Sequence, residues 1–178
     1  VDAYYSKPVK VLVADKYVRA FKGGVGEAKA AGNYAATMMP VVEAKKKGFD
    51  QILWMDPNEF KYAQEIGTMN IFFVLNGKVL TPELNGAILD GITRDSVLRI
   101  LKDQNIPYEE RDISIDEIIE AYNNGQFDDA FGTGTAATIS HIECLGYKGE
   151  TMKLPSIESR TISNMLKNKL SKIKTGQS

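Results

Sequence analysis

The 178-residue chain sets 22 lysines and arginines against 23 aspartates and glutamates, a formal net charge of −1. That length suits one domain with a real core, and the charge balance offers no cation surplus to displace counterions from a nucleic-acid backbone, which excludes nucleic acid as an expected partner. The longest apolar runs, 52–55 and 71–75, fall far short of the roughly 20 residues of a membrane span; a single cysteine, Cys144, and a single histidine, His141, exclude a disulfide framework and a multi-histidine zinc site and fit a soluble protein of the reducing cytoplasm.

The opening, 1–8, is polar and irregular and begins on Val1; it reads as an exposed linker remnant entered from something upstream. Residues 10–13 and 17–21, rich in β-branched and aromatic side chains, predict two strands with a turn at 14–16. A glycine-rich stretch, 23–26, leads to helical periodicity over 33–47, with a kink expected at Pro40 and a stop at Gly48. Gln51–Met55 predicts a buried strand, Pro57-Asn58-Glu59 a turn, and 62–66 another strand. The strongest local signal is a hairpin: 70–75, then Asn76-Gly77, then Lys78–Thr81, because Asn-Gly accepts the positive φ angles of a two-residue turn. Helical periodicity returns over 96–105, with Thr93 and Asp95 as its opening. A strand over 106–113 follows, then a helix over 114–122, in which Ser114 and Glu117 have capping-box spacing. Gly132-Thr133-Gly134-Thr135 interrupts the pattern before a strand over 136–142, a hairpin across 146–149 and an amphipathic helix over 159–173. Strands and helices alternate without repeats, so the fold class is mixed α/β.

Two glycine-rich segments, a helix opening, a lysine among small residues and an isolated glutamate could together hold a phosphate and a cation. None suffices alone. Residues 23–29 look superficially like a nucleotide-binding P-loop, but Ala28 and Ala30 stand where that motif needs Gly and Ser or Thr. His141 and Cys144, three apart on a strand, fall on opposite faces and do not make a catalytic pair.

The informative feature is an ordered series of blocks. It runs Tyr17-Val18-Arg19-Ala20-Phe21-Lys22-Gly23-Gly24, Lys29-Ala30-Ala31-Gly32-Asn33-Tyr34, Glu65-Ile66-Gly67-Thr68-Met69-Asn70-Ile71-Phe72, Thr81-Pro82, Leu89-Asp90-Gly91-Ile92-Thr93-Arg94-Asp95-Ser96 and Phe131-Gly132-Thr133-Gly134-Thr135-Ala136. In this order and spacing the series resembles the class IV, fold type IV aminotransferases, and Gly67-Thr68-Met69-Asn70 with Gly32-Asn33-Tyr34 resembles the branched-chain amino acid enzymes in particular. The resemblance weakens after about Tyr147.

The resemblance implies a large domain of mixed sheets forming a pseudo-barrel with surrounding helices, here 9–178, a pyridoxal 5′-phosphate cofactor, and transfer of the amino group of leucine, isoleucine or valine to 2-oxoglutarate. It implies a homodimer for the intact enzyme. It also implies a smaller N-terminal domain absent from this sequence, without which the chain is expected to turn over little or nothing. Lys29 matches the amine that condenses with the cofactor aldehyde; such an amine must be neutral to be a nucleophile, and Ala28, Ala30 and Ala31 are expected to help desolvate it. Glu65 matches the carboxylate facing the pyridine nitrogen, which makes the ring a better electron sink, and Tyr34 the phenol at its 3′ oxygen. The amides of Ile92 and Thr93 and the hydroxyl of Thr135 match the phosphate cradle, where an open helix start favours an anion. Thr135 and Ala136 match positions whose amides hold the substrate carboxylate, and Thr68 and Met69 match the side-chain pocket. Taken alone, Lys29 and Glu65 are ordinary surface charges, Tyr34 a core tyrosine and Thr93 a helix cap; Arg19 has no role that the resemblance fixes, and a structural ion pair fits it equally. Two alternatives stand beside this reading. One is another class IV enzyme, a D-amino acid aminotransferase or an aminodeoxychorismate lyase; the other is a catalytically silent binding or scaffold domain.

Overall fold

Strands buried on both faces are what the longest apolar runs of this chain build. A computed structural model describes residues 7–177, so most of the stretch read as a linker, residues 1–6, lies outside the described residues. The elements run β1 (Val9–Val13), α1 (Ala31–Ala35), α2 (Met38–Lys46), β2 (Gln51–Met55), β3 (Ala63–Ile66), β4 (Met69–Leu75), β5 (Lys78–Thr81), α3 (Ile92–Asp103), β6 (Tyr108–Glu110), α4 (Ile115–Asn123), β7 (Phe127–Gly134), β8 (Thr138–Tyr147), β9 (Glu150–Lys153) and α5 (Thr161–Lys174). Strand order is β3-β2-β1-β8-β7-β4-β5-β6, and a further β3–β4 pairing closes the first six of these into a barrel. β1 runs parallel to β2 and β8, and β5 parallel to β6; the other pairs are antiparallel. The mixed α/β class is the one the alternation of elements predicts, and the barrel is what the resemblance implies.

β4 shows why the chain closes this way. Ile71, Phe73 and Leu75 enter one core cluster together with β1, β2 and α4. Phe72 and Val74 point the other way, into a second cluster with α3 and α5. Phe72 stacks on Phe131 of β7 with ring centroids 5.3 Å apart. No helix among the described residues is long and apolar enough to cross a membrane.

Local chemistry sets the connections. Asn76 and Gly77 take φ of 49° and 74° in the β4–β5 hairpin, as their dipeptide predicts. Ser114 caps α4 by accepting from the amide of Glu117 at 3.1 Å, although the Glu117 carboxylate does not return to Ser114 and instead grips Arg111 at 2.9 and 2.5 Å. Ser114→Ala is expected to lower stability by about 1 kcal/mol, read as a shift in the urea midpoint at unchanged slope.

The strand over 17–21 does not form: β1 is already paired on both edges, by β2 and β8, so a returning hairpin strand has no edge to join. The helix over 33–47 divides between Ala35 and Met38, not at Pro40, which lies in the first turn of α2, where its missing N–H costs nothing. The strand over 106–113 shrinks to Tyr108–Glu110. α3 starts at Ile92, within a residue of the expected opening, but Thr93 is not its cap; Gly91 occupies that position without any side-chain cap, while Asp95 pairs with Arg99 at 2.9 Å. β7 has no counterpart in the sequence reading, because two aspartates and two glycines hide its alternation. Asp129 is nonetheless buried, paired with Arg160 at 3.2 Å.

Candidate active site

The barrel end where β3, β4, β7 and the start of α3 meet holds a cavity of about 560 Å³. Lys29, Tyr34, Glu65, Thr68, Met69, Ile92, Thr93, Thr135 and Ala136, the nine residues to which the resemblance gives a role, line it. Its volume is that of a small-ligand cleft.

Each wall has a local cause. Lys29 sits at the end of a turn-rich loop held by Asn33, whose side-chain amide donates to the carbonyls of Val25 and Ala28 at 2.8 and 2.9 Å. Gly26 lets this loop press onto the neighbouring one, since a Cβ there would stand 2.4 Å from the Ala87 carbonyl oxygen. Lys29 is exposed, as are Ala28 and Ala31. The shielding those alanines were expected to give is therefore not present in this chain. Tyr34, on α1, is 38% exposed at the rim.

Glu65 is the opposite case. It lies within β3, 3% exposed, and not on the surface where a lone strand-end charge would rest. Its Oε2 meets the Arg19 guanidinium at 2.6 Å, and its Oε1 accepts from the amide of Leu89 at 3.1 Å and from Asn70 Nδ2 at 3.3 Å. Burial pushes its carboxyl up to about 7, and Arg19 and the Leu89 amide restrain that rise. A carboxylate so poised is suited to a second, exchangeable cation such as a protonated ring nitrogen.

Across the cavity, α3 opens without a side-chain cap, and the one acidic side chain of its first turn, Asp95, is paired with Arg99 at 2.9 Å, so its leading amides and dipole face the opening uncapped. The hairpin turn 135–137 between β7 and β8 brings Thr135 and Ala136 to the same space, both exposed. Met69 lies flat on β7 because that strand carries glycine beneath it: a Cβ on Gly132 would come within 2.9 Å of Met69 Cε and 3.0 Å of Ile66 Cγ2. Gly132→Ala is expected to cost about 1–3 kcal/mol by overpacking and to displace Met69 into the cavity; equilibrium unfolding checks the first part. A buried carboxylate, an amine and an uncapped helix start on one cavity form a donor set that fits a phosphate-bearing pyridine aldehyde.

Asn33, Asn70 and Arg19 build the site without having been given roles from the sequence. The available signal was their position inside the quoted blocks, as polar residues beside apolar runs. His141 and Cys144 are both buried, and neither lines the cavity.

Comparison with known proteins places this geometry in a family. The model for amino-transferase class IV matches residues 3–143, and the chain belongs to that family. It is 48% identical over 178 residues to a probable branched-chain-amino-acid aminotransferase of Staphylococcus aureus strain N315, a match spanning 98% of this chain and 50% of that protein. Among solved structures it is similar to the branched-chain aminotransferase of Thermoproteus uzoniensis with norvaline, with a TM-score of 0.79 and 29% identity over 98% of this chain and 54% of that one. It is also similar to the branched-chain amino acid aminotransferase of Thermobaculum terrenum in its PLP form, with a TM-score of 0.77 and 25% identity over 97% of this chain and 52% of that one. The chain spans about half the length of the curated relatives it matches.

Proposed function

We propose that this chain is the cofactor-binding half of a branched-chain amino acid aminotransferase, which moves the amino group of leucine, isoleucine or valine to 2-oxoglutarate in two exchanging half-reactions and works as a homodimer. The observation that carries the reading is the convergence of Lys29, Glu65, the α3 start and the 135–137 turn on one cavity. The relatives' names support the substrate class, and the half-length match supports the division into two domains.

Pyridoxal 5′-phosphate, when bound, supplies an aldehyde for the amino group and a ring that withdraws electrons from the α-carbon. Lys29 provides the amine for that aldehyde. The same amine, when neutral, would hold and move the proton at the substrate α-carbon. Glu65 keeps the ring nitrogen protonated, and the Tyr34 hydroxyl serves the 3′ oxygen. The amides of Ile92 and Thr93 with the Thr135 hydroxyl hold the phosphate; the amides of Thr135 and Ala136 take the substrate carboxylate, and Thr68 and Met69 bound its side chain.

Because Lys29, Thr68, Thr135 and Ala136 are exposed, the chain by itself excludes little water from the site and turns over little or nothing. The test is an amino-donor screen on a protein containing both domains. Amino transfer from L-leucine, L-isoleucine or L-valine in preference to D-alanine, with no pyruvate released from aminodeoxychorismate, supports the proposal; preference for D-alanine, or release of pyruvate, rejects it.

A further inference from the structure

Two residues of the motif blocks, Asn70 and Gly91, have no task in that reading. Asn70 stands on β4 directly across the ladder from Glu65 and is 5% exposed. Its Nδ2 donates to the Leu89 carbonyl at 2.8 Å and to Glu65 Oε1 at 3.3 Å, and the amide of Leu89 donates to the same Oε1 at 3.1 Å. On its other side the Asn70 carbonyl oxygen occupies the space beside Gly91, where a Cβ would lie 2.1 Å from Oδ1. Gly91 has φ −79° and ψ 130°, a conformation open to any residue. Its lack of a side chain is thus a matter of room and not of backbone freedom.

We propose that Asn70 is a positioning residue that locks the opening of α3 to the Glu65 carboxylate, with Gly91 making the room the lock needs. Asparagine is suited to this place because one short side chain both donates to two oxygens and turns its own oxygen toward the helix start. Aspartate, of the same size, would set oxygen against oxygen at both contacts. The connection 82–91 has no helix or strand of its own, and it is pinned at Ala87 by Arg19 at 2.6 Å and at Leu89 by Asn70 and Glu65. The carboxylate for one end of a ligand and the amides for the other are therefore built as one piece. That arrangement selects a ligand of fixed length bearing a cation and an anion at opposite ends, which here, on the cofactor reading above, is a pyridine carrying a phosphate ester.

The test compares the wild-type chain with Asn70→Ala, Asn70→Asp, Gly91→Ala and the double variant Asn70→Ala/Gly91→Ala. Amide hydrogen exchange is expected to accelerate at least about tenfold at residues 89–93 in each single variant, with the β4–β7 ladder still protected. In the Asn70→Ala background, Gly91→Ala should add nothing, since the oxygen it strikes is gone. Affinity for pyridoxal 5′-phosphate should fall about tenfold while that for pyridoxal, which lacks the phosphate, changes by less than about twofold. Wild-type exchange in Asn70→Asp and Gly91→Ala overturns the proposal, as does an equal loss for both ligands. If Asn70→Ala does not fold, Gly91→Ala and Asn70→Asp decide alone. A protein carrying both domains that binds neither ligand defeats the cofactor reading instead, and the exchange data still decide the lock.

Discussion

Replacing Lys29 with alanine, in a protein carrying both domains, is expected to reduce transamination by at least about 10³-fold, because one amine performs two tasks. In the proposed function it would condense with the cofactor aldehyde and would also move the proton at the substrate α-carbon. Loss of a positioned general acid–base alone costs about 10²–10⁴-fold. Lys29→Arg should be nearly as inactive, since it keeps the length but cannot offer a neutral nucleophile. Steady-state rates with L-leucine and 2-oxoglutarate check this. Added ethylamine should restore part of the rate in Lys29→Ala and none in Lys29→Arg, where the guanidinium still fills the space.

The second large effect is on stability and depends on pH. Glu65 carries a folded-state carboxyl raised by burial from 4.5 to about 7, so the folded chain binds that proton more tightly than the unfolded one. Its contribution is complete below about pH 4.5 and is lost as the pH rises through about 7. The loss is on the order of 3 kcal/mol. His141, pushed down to about 4 chiefly by burial and then by Lys167 and Arg160, acts in the opposite sense: its contribution is present above 6.5 and is lost as the pH falls through about 4. The comparison is therefore drawn between wild type and Glu65→Gln, and the Glu65 segment of the stability curve should vanish in the variant. Arg19→Met removes the cation 2.6 Å from Glu65 and should cost about 3 kcal/mol at pH 8. At pH 5 the cost should be smaller, because the carboxyl is then protonated and only the bond to the Ala87 carbonyl is lost. Equal losses at both pH values in guanidinium unfolding would show that Arg19 does not hold the charge of Glu65.

The resemblance implied a cluster because the quoted blocks carry the groups that meet at the cavity, and Lys29, Glu65, Thr93 and Thr135 do meet there. The local signals that held were those decided within a few residues, as at Asn76-Gly77 and Ser114. What failed depends on distant partners. Residues 17–21 have strand composition but no edge to pair with, and Arg19 leaves that segment for Glu65 and the Ala87 carbonyl. β7 looks unlike a strand until Arg160 is seen to satisfy Asp129 and Met69 to fill the space above Gly132. At the opening of α3 the expected Thr93 cap is absent, because Gly91 holds the cap position, and that missing cap leaves its amides open to an anion.

One measurement bears most directly on the proposed chemistry. The chain is saturated with pyridoxal 5′-phosphate, treated with borohydride, digested and mapped by mass spectrometry. The account predicts a phosphopyridoxyl group on Lys29 in preference to all other lysines, and none at that position after prior reduction of the cofactor to its alcohol. Labelling spread evenly over the surface lysines, with Lys29 unmodified, would contradict it.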